Sequence, residues 1–287
     1  VRIVEDMAPF LILGGTGKVG RRLTHSLTHT GHDPRPASRN SATRFDWQDD
    51  STWPAALAGT EGVFVIGPGS AKDWSPRLTG LLEAAHAAGV RRAVLLSARG
   101  VEFLPDGAVA RAEQALRKGP LPWTILRPSH FAQNFTEAMF APRGGLISAP
   151  VGMGAEPFID VADIADVAAA VLPGGFEGET LALSGPEAAD FVQAAQILTE
   201  ASGTLVRFAD QSDADHVAQL RAAGTPEGYI EWRMAMLGGI RRGEDAYLSD
   251  GVKHVLGRSP IGLREWAARE VPGSDWAMAV RGGDQAG

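Results

Sequence analysis

Pro9-Phe10-Leu11-Ile12-Leu13-Gly14-Gly15-Thr16-Gly17-Lys18-Val19-Gly20 decides the fold of this chain. Phe10 to Leu13 is an apolar run bounded by breakers, which reads as a buried strand. Glycines at 14, 17 and 20 follow, and Val19, Leu23 and Leu27 recur every fourth residue, so a helix opens inside the glycine run. Glycine permits a tight turn and lets an anion approach bare backbone, while a helix N-terminus points its N–H dipoles outward. Strand, glycine loop and helix in that order predict a dinucleotide pyrophosphate site, with Gly14, Thr16, Gly17, Lys18, Val19 and Gly20 as its contacts.

The rhythm continues outward from that stretch. Gly62–Ile66 reads as a strand that runs into Gly67-Pro68-Gly69, and Leu78–Ala88 as a helix stopped by Gly89. Arg92–Ser97 is the next strand, Ala108–Arg117 a helix, and Trp123–Pro128 a further strand. Such alternation predicts an α/β fold, a Rossmann-type doubly wound parallel sheet with right-handed crossovers. Ligands bind beyond the carboxyl ends of such strands, so Gly14, Ser38, Gly67, Ser97 and Ser129 are expected along one crevice. The expected division is a cofactor-binding core over residues 8–150 and a mixed, largely helical substrate-binding portion over 151–287, some of whose strands join the main sheet. In the second portion Pro157–Asp160 and Thr180–Leu183 read as strands. Val161–Leu172, Gln193–Glu200, Ala214–Ala222, Glu227–Leu237 and Gly262–Glu270 read as helices, and Val1–Met7 as a leader outside the fold.

Composition narrows the function classes. The chain has 287 residues, is 44% hydrophobic and carries a net charge of -7, which argues against a nucleic-acid surface. No apolar run reaches the roughly 18 residues of a membrane span, and no signal peptide pattern opens the chain. The absence of cysteine excludes disulfides and thiolate chemistry and fits a cytoplasmic protein. Only four of the 27 basic residues are lysines, in an Ala- and Gly-rich chain, which is the imprint of GC-rich coding.

Past the second strand the chain reads Ala37-Ser38-Arg39-Asn40, with no acid before Asp46. An acid there would bond the ribose 2′-hydroxyl of NAD, whereas a hydroxyl and a guanidinium suit the 2′-phosphate of NADP. Ser38 and Arg39 therefore point to NADP(H), the alternative being a solvated turn. Pro36 requires an edge-like or irregular backbone in that strand.

Taken with Phe45-Asp46-Trp47, Leu96-Ser97, Ala112–Leu116, Trp123–Pro128, Asn134-Phe135, Phe158–Ala165 and Gly257–Pro260, these motifs resemble the NmrA-like branch of the atypical short-chain dehydrogenases/reductases. The resemblance covers most of residues 8–275. It implies NADP(H) across a Rossmann-type sheet, with Asp46 and Trp47 near the adenine and Gly67, Pro68 and Gly69 near its ribose and the pyrophosphate. Ser97 and Pro128, Ser129, His130 and Phe131 would sit near the nicotinamide. Quinone reductases, dye reductases and non-catalytic redox-sensing regulators belong to that branch.

Ordinary short-chain dehydrogenases protonate a carbonyl with a Tyr-x-x-x-Lys helix, but Ala108–Arg117 carries Arg111, Glu113 and Gln114, and both tyrosines, Tyr229 and Tyr247, lie far beyond. Hydride delivery to a simple ketone makes an alkoxide that needs a strong donor. Delivery to a quinone makes a phenolate-like anion, whose conjugate acid resembles tyrosine with a pKa of about 10. The expected function is NADPH-dependent reduction of a quinone or similar conjugated aromatic acceptor, in line with a tailoring step on an aromatic natural product. The alternative is an NADP(H)-sensing regulator of NmrA type. His130 is the candidate proton donor, or else a packed loop histidine; Ser97 is a second candidate at the catalytic site. His130, Phe131 and Phe135 are candidate substrate contacts. Arg127 is expected to pair with Asp160 or Asp163, and Glu113 to be a surface or cofactor-adjacent residue. No metal site is expected: His25 and His29 fall on a solvated helix face, and Asp46, Asp49 and Asp50 on a turn.

Overall fold

The computed structural model describes residues 8–69 and 72–278, so the leader expected over Val1–Met7 lies outside the described residues. The order begins β1 (Phe10–Leu13), α1 (Lys18–His29), β2 (Pro34–Ser38), β3 (Thr43–Arg44), α2 (Trp53–Leu57), β4 (Gly62–Ile66), α3 (Ser75–Ala87), β5 (Arg92–Leu96), α4 (Ala108–Lys118) and β6 (Trp123–Pro128), the expected alternation with the short β3 and α2 added to it. They are followed by α5 (Asn134–Glu137), β7 (Leu146–Ala149), β8 (Ala155–Glu156), α6 (Val161–Val171), β9 (Thr180–Leu183), β10 (Ala189–Asp190) and α7 (Phe191–Ser202). β11 (Arg207–Asp210), α8 (Asp213–Ala222), α9 (Glu227–Arg241), α10 (Gly251–Leu256) and α11 (Leu263–Glu270) complete the order. Among the described residues no helix is long and apolar enough to cross a membrane.

Seven strands form a parallel sheet in the order β3-β2-β1-β4-β5-β6-β9, so the order reverses between β1 and β4, where doubly wound sheets bind ligands. Leu11, Leu13, Val63, Val65, Ala93 and Leu95 share one core with Leu78, Leu82, Ala112 and Leu116 of α3 and α4. Their neighbours Phe10, Ile12, Phe64 and Val94 are also buried, and strand alternation turns them to the opposite face. Pro36 behaves as expected. It pairs with Ile12 of β1 on one side, while on the other only Ala37 and Ser38 pair with β3, so the first part of β2 is locally an edge.

Two compact units are drawn from alternating stretches of chain and do not divide at a single point near residue 150. The first ends at Pro128 and adds Val161–Ala182 and Gly251–Gly257; the second comprises Ser129–Asp160, Leu183–Asp250 and the chain from Arg258 onward. The chain returns to the first unit because α6 packs on α1, with the Ser26 hydroxyl donating to Asp166 Oδ1 at 2.8 Å, and because β9 extends the sheet beside β6. The second unit encloses an aromatic core of Phe135, Phe140, Phe158, Phe191 and Trp266, flanked by the small sheets β7–β11 and β8–β10.

Two local expectations change. The strand expected over Pro157–Asp160 is reduced to a bridge between Ile159 and Phe131, and the paired strand lies just before it at Ala155–Glu156. Pro157 has no N–H to donate, which interrupts the ladder there. α7 begins two residues earlier than its apolar period suggests, because Asp190 and Gln193 form a reciprocal capping box.

Candidate functional site

In the first unit, the carboxyl ends of neighbouring parallel strands carry Ser38, the Gly14 loop, Gly67 and Ser97 in that order across the sheet. Gly14 adopts a φ of 71°, open to glycine at little cost, and its carbonyl accepts from the Gly17 N–H at 2.9 Å. Gly15 lies against β2, where a Cβ would stand 2.5 Å from Pro36 Cβ. Gly20 lies against the loop itself, with a Cβ only 2.3 Å from the Gly14 carbonyl oxygen. Gly17 is the N-cap of α1, which has no side-chain cap hydrogen bond and no acid in its first turn, so the positive end of the helix dipole faces the loop. This cradle, which only glycine can line, fits a dinucleotide pyrophosphate.

At the end of β2, the Ser38 N–H donates to Ser41 Oγ at 2.7 Å, which closes a tight turn and leaves Arg39 exposed at its tip. Asp46 Oδ1 accepts from the Gln48 N–H at 2.9 Å, and Trp47 Nε1 donates to the Ile66 carbonyl at 3.1 Å, pinning that loop to the end of β4. Trp47 meets Trp74 edge-on at 5.3 Å. Trp74 also presses on Gly67, where a Cβ would lie 2.6 Å from its ring. Gly69, with φ 67°, completes the turn out of β4. Asp49 accepts from the Ser51 N–H at 3.2 Å, so the acidic cluster is a turn, and the exposed His25 and His29 rings stack on each other.

Where a Tyr–Lys helix would stand, α4 presents Glu113 to the end of β5. The Ser97 hydroxyl donates to Glu113 Oε1 at 2.5 Å, and Arg127 of β6 clamps the same carboxylate through Nε at 2.8 Å and Nη2 at 2.5 Å. Burial opposes the charge on Glu113, but the donors from Arg127 and Ser97 outweigh it and hold the carboxyl below the usual glutamate range. Glu113 is therefore an ionised, 3%-exposed anchor and not a surface residue. Arg127, for which Asp160 or Asp163 was the expected partner, is clamped on Glu113 of the adjoining helix, and Asp160 is bridged by Arg269.

In the second unit, the Ser129 hydroxyl is spent on the Pro157 carbonyl at 2.5 Å. The His130 N–H donates to Glu156 Oε1 at 2.9 Å, and the ring Nδ1 stands 3.3 Å from that same oxygen, an ion-pair distance without hydrogen-bond alignment. Asp245 completes a buried trio whose donor atoms all lie within 4.8 Å of one another. Burial alone would depress the His130 pKa, yet the charges of Glu156 and Asp245 prevail over it and over opposing Arg233, holding it above the usual histidine value.

The glycine cradle and its sheet decide the family. The chain belongs to the NAD(P)H-binding family. That family matches residues 14–173, from the glycine loop to the end of the α6 crossover. Among its relatives, an uncharacterized oxidoreductase of Bacillus subtilis, YesF, is 34% identical over 91% of this chain and 94% of its own length. The NADPH complex of the quinone oxidoreductase QOR2 from Escherichia coli is 25% identical with a TM-score of 0.77, covering 90% of this chain and 98% of that one. NmrA, a negative transcriptional regulator, shares the fold at 16% identity and a TM-score of 0.72, covering 93% of this chain and 96% of its own. This member of the NAD(P)H-binding family is an oxidoreductase of the QOR2/NmrA-like fold.

One expected substrate contact does not survive. Phe135 is fully buried, packed edge-on against Phe158 at 4.8 Å, so its ring belongs to the core. Phe131 is half-buried, its backbone bridged to Ile159, and Pro128 ends β6. Sequence reasoning overlooked Trp74, Glu156 and Asp245. Only Trp74 left a local signal, a large aromatic five residues after the Gly67-Pro68-Gly69 exit.

Proposed function

We propose that this oxidoreductase uses NADPH to reduce a quinone or similarly conjugated aromatic acceptor. The observation that carries the reading is the Ser97–Glu113–Arg127 network. Ser97 spends its single hydroxyl proton on an ionised Glu113, so it can accept an N–H, such as that of the nicotinamide carboxamide, but cannot act as an acid. Glu113 in turn is held unprotonated by Arg127. Both tyrosines belong to the second unit, so the first unit offers no phenol beside Ser97. Neither Ser97 nor Glu113 can protonate a nascent alkoxide, so the network favours an acceptor whose reduction gives an anion that is already stabilised, as a quinone's does.

When bound, NADPH supplies the hydride. The Gly14–Gly20 cradle holds the pyrophosphate, Ser38 and Arg39 take the 2′-phosphate, and Asp46, Trp47 and Gly67–Gly69 flank the adenosine end. Pro128, Ser129 and Phe131 border the nicotinamide, and His130 supplies the one proton that, with the hydride, converts quinone to hydroquinone. The similarity to QOR2 supports the acceptor class.

The test follows nicotinamide absorbance at substoichiometric protein with NADPH or NADH against a panel of quinones and simple ketones. Many turnovers with quinones, NADPH preferred, and none with ketones is the expected result. Tight NADPH binding without oxidation by any quinone would overturn the reading in favour of a sensor.

A further inference from the structure

We propose that Arg233, with His216 beside it, is an oxyanion site in the second unit that takes the carboxylate or phosphate of a small aromatic acid. Arg233 of α9 is 9% exposed and His216 of α8 is 4% exposed. The guanidinium reaches the Met139 carbonyl through Nη2 at 3.5 Å, the outer limit of a hydrogen bond, and the Tyr229 phenol lies against it. Its Nε is buried with no hydrogen-bond partner, and so is His216 Nε2. Among the described residues no carboxylate forms an ion pair with Arg233, those of Glu156 and Asp245 included.

A guanidinium stays charged at any working pH and carries five donors. Taken out of water it needs an anion or a full set of acceptors, and the protein gives this one neither. Its surroundings add to the cost. Burial, and the like charge of Arg143 from the connection after α5, hold the Arg233 pKa below the usual arginine value in spite of Tyr229. Arg143 is itself exposed and forms no ion pair among the described residues.

The effect reaches α8. Burial and then the charge of Arg233 push the His216 pKa down to about 4, although Asp213, exposed one turn earlier, acts the other way. His216 is thus neutral near pH 7. Its Nδ1 lies 3.1 Å from Gln211 Oε1, which makes Nδ1 the donor and leaves Nε2 a bare lone pair. A chain with 34 acidic residues against 27 basic ones has carboxylates to spare for a structural arginine. Two guanidiniums brought together without one match an oxyanion from a ligand, which the planar fork of arginine binds through paired donors. The half-buried rings of Tyr229 and Trp232, 5.5 Å apart just before Arg233 on α9, suit an acid carried on an aromatic ring.

The experiment takes the protein saturated with NADP+, which occupies the nucleotide's own phosphate contacts. Calorimetry then compares 2-naphthoate, 2-naphthyl phosphate and the neutral 2-naphthylmethanol. At least one of the two acids should bind about 10- to 100-fold tighter than the alcohol, the worth of a charge-assisted hydrogen bond, and the tighter acid names the source of the oxyanion. Arg233→Met should erase that preference and, because it removes an unpaired buried charge, melt no lower than the wild type. Arg233→Gln keeps donors without the charge and should lose the preference too, which covers a Met variant that fails to fold. The His216 ring resonances, assigned by their loss in His216→Gln, should shift along the same saturation curve. Equal binding of acids and alcohol overturns the proposal, and so does a preference that survives in the folded variants or leaves the His216 ring unmoved. If Arg233→Met melts lower and Arg233→Gln still prefers the acids, the guanidinium belongs to the structure instead. Binding is measured without turnover, so the quinone reading above stands or falls separately.

Discussion

Gly20→Ala and Gly80→Ala make the same chemical change inside two helices of the first unit, and the structure predicts opposite outcomes. At Gly80 in α3 a Cβ would meet only Trp53 Cζ3, at 3.7 Å, an ordinary contact. The helix propensity of alanine then shows through, worth up to about 1 kcal/mol of stabilisation. At Gly20 in α1 the Cβ would stand 2.3 Å from the Gly14 oxygen, 2.7 Å from Gly15 Cα and 2.9 Å from the Gly14 carbon. All three are backbone atoms, so no side chain can rotate away and the loop itself must retreat. Overpacking of this kind costs about 1–3 kcal/mol, against which the propensity gain is smaller than at Gly80 because Gly20 is only the third residue of its helix. The two variants should therefore differ by about 1–3 kcal/mol in urea unfolding, with Gly80→Ala the more stable. The retreat also displaces the donors of the cradle, and each 1.4 kcal/mol lost there weakens binding about tenfold. Dinucleotide titration by tryptophan fluorescence should show Gly20→Ala at least about tenfold weaker and Gly80→Ala unchanged. If Gly20→Ala proves as stable as Gly80→Ala and binds as tightly, the close approach of Gly20 to the Gly14 carbonyl is wrong.

Arg39→Ala should weaken NADPH binding by about 1.5–3 kcal/mol, the worth of a charge-assisted hydrogen bond, and leave NADH unaffected; equal losses for both dinucleotides would remove Arg39 from the 2′-phosphate. Glu113→Gln should cost about 3 kcal/mol in urea melts near neutral pH, the low end for a broken buried pair, because the Arg127 side chain is 25% exposed. The folded pKa of Glu113 is depressed, so its contribution is complete above the unfolded value of about 4.3 and is lost as pH falls through the lower folded value. The stability gap between wild type and Glu113→Gln should accordingly hold near neutrality and close on acidification; a gap that persists unchanged into acid would mean that the charge of Glu113 is not what stabilises the network.

The elements legible in the sequence are those whose signals are local. Thr180–Leu183 keeps the bounds its apolar residues suggest, Trp123–Pro128 is likewise read to the residue, and the Gly14–Gly20 turn is enforced by glycines that sit within the turn itself. β7 and β11 escaped, since each is four residues long and finds its pairing only in the other, with Leu146 opposite Arg207. The charged groups of the site escaped for a sharper reason. A carboxylate can be buried only where the fold delivers a partner, and the partner's chain position carries no periodicity. For Arg127 the sequence suggested Asp160 or Asp163, and Glu113 went unconsidered because only the fold shows that α4 and β6 bring it face to face with the guanidinium. His130 meets Glu156 and Asp245 only because β8 and the end of α9 converge on the connection after β6. What hides these groups from sequence reading also makes them informative once the fold is known. A buried charge whose partners come from three distant stretches costs energy that local structure does not repay, so the chemistry it permits is the better account of why it is there.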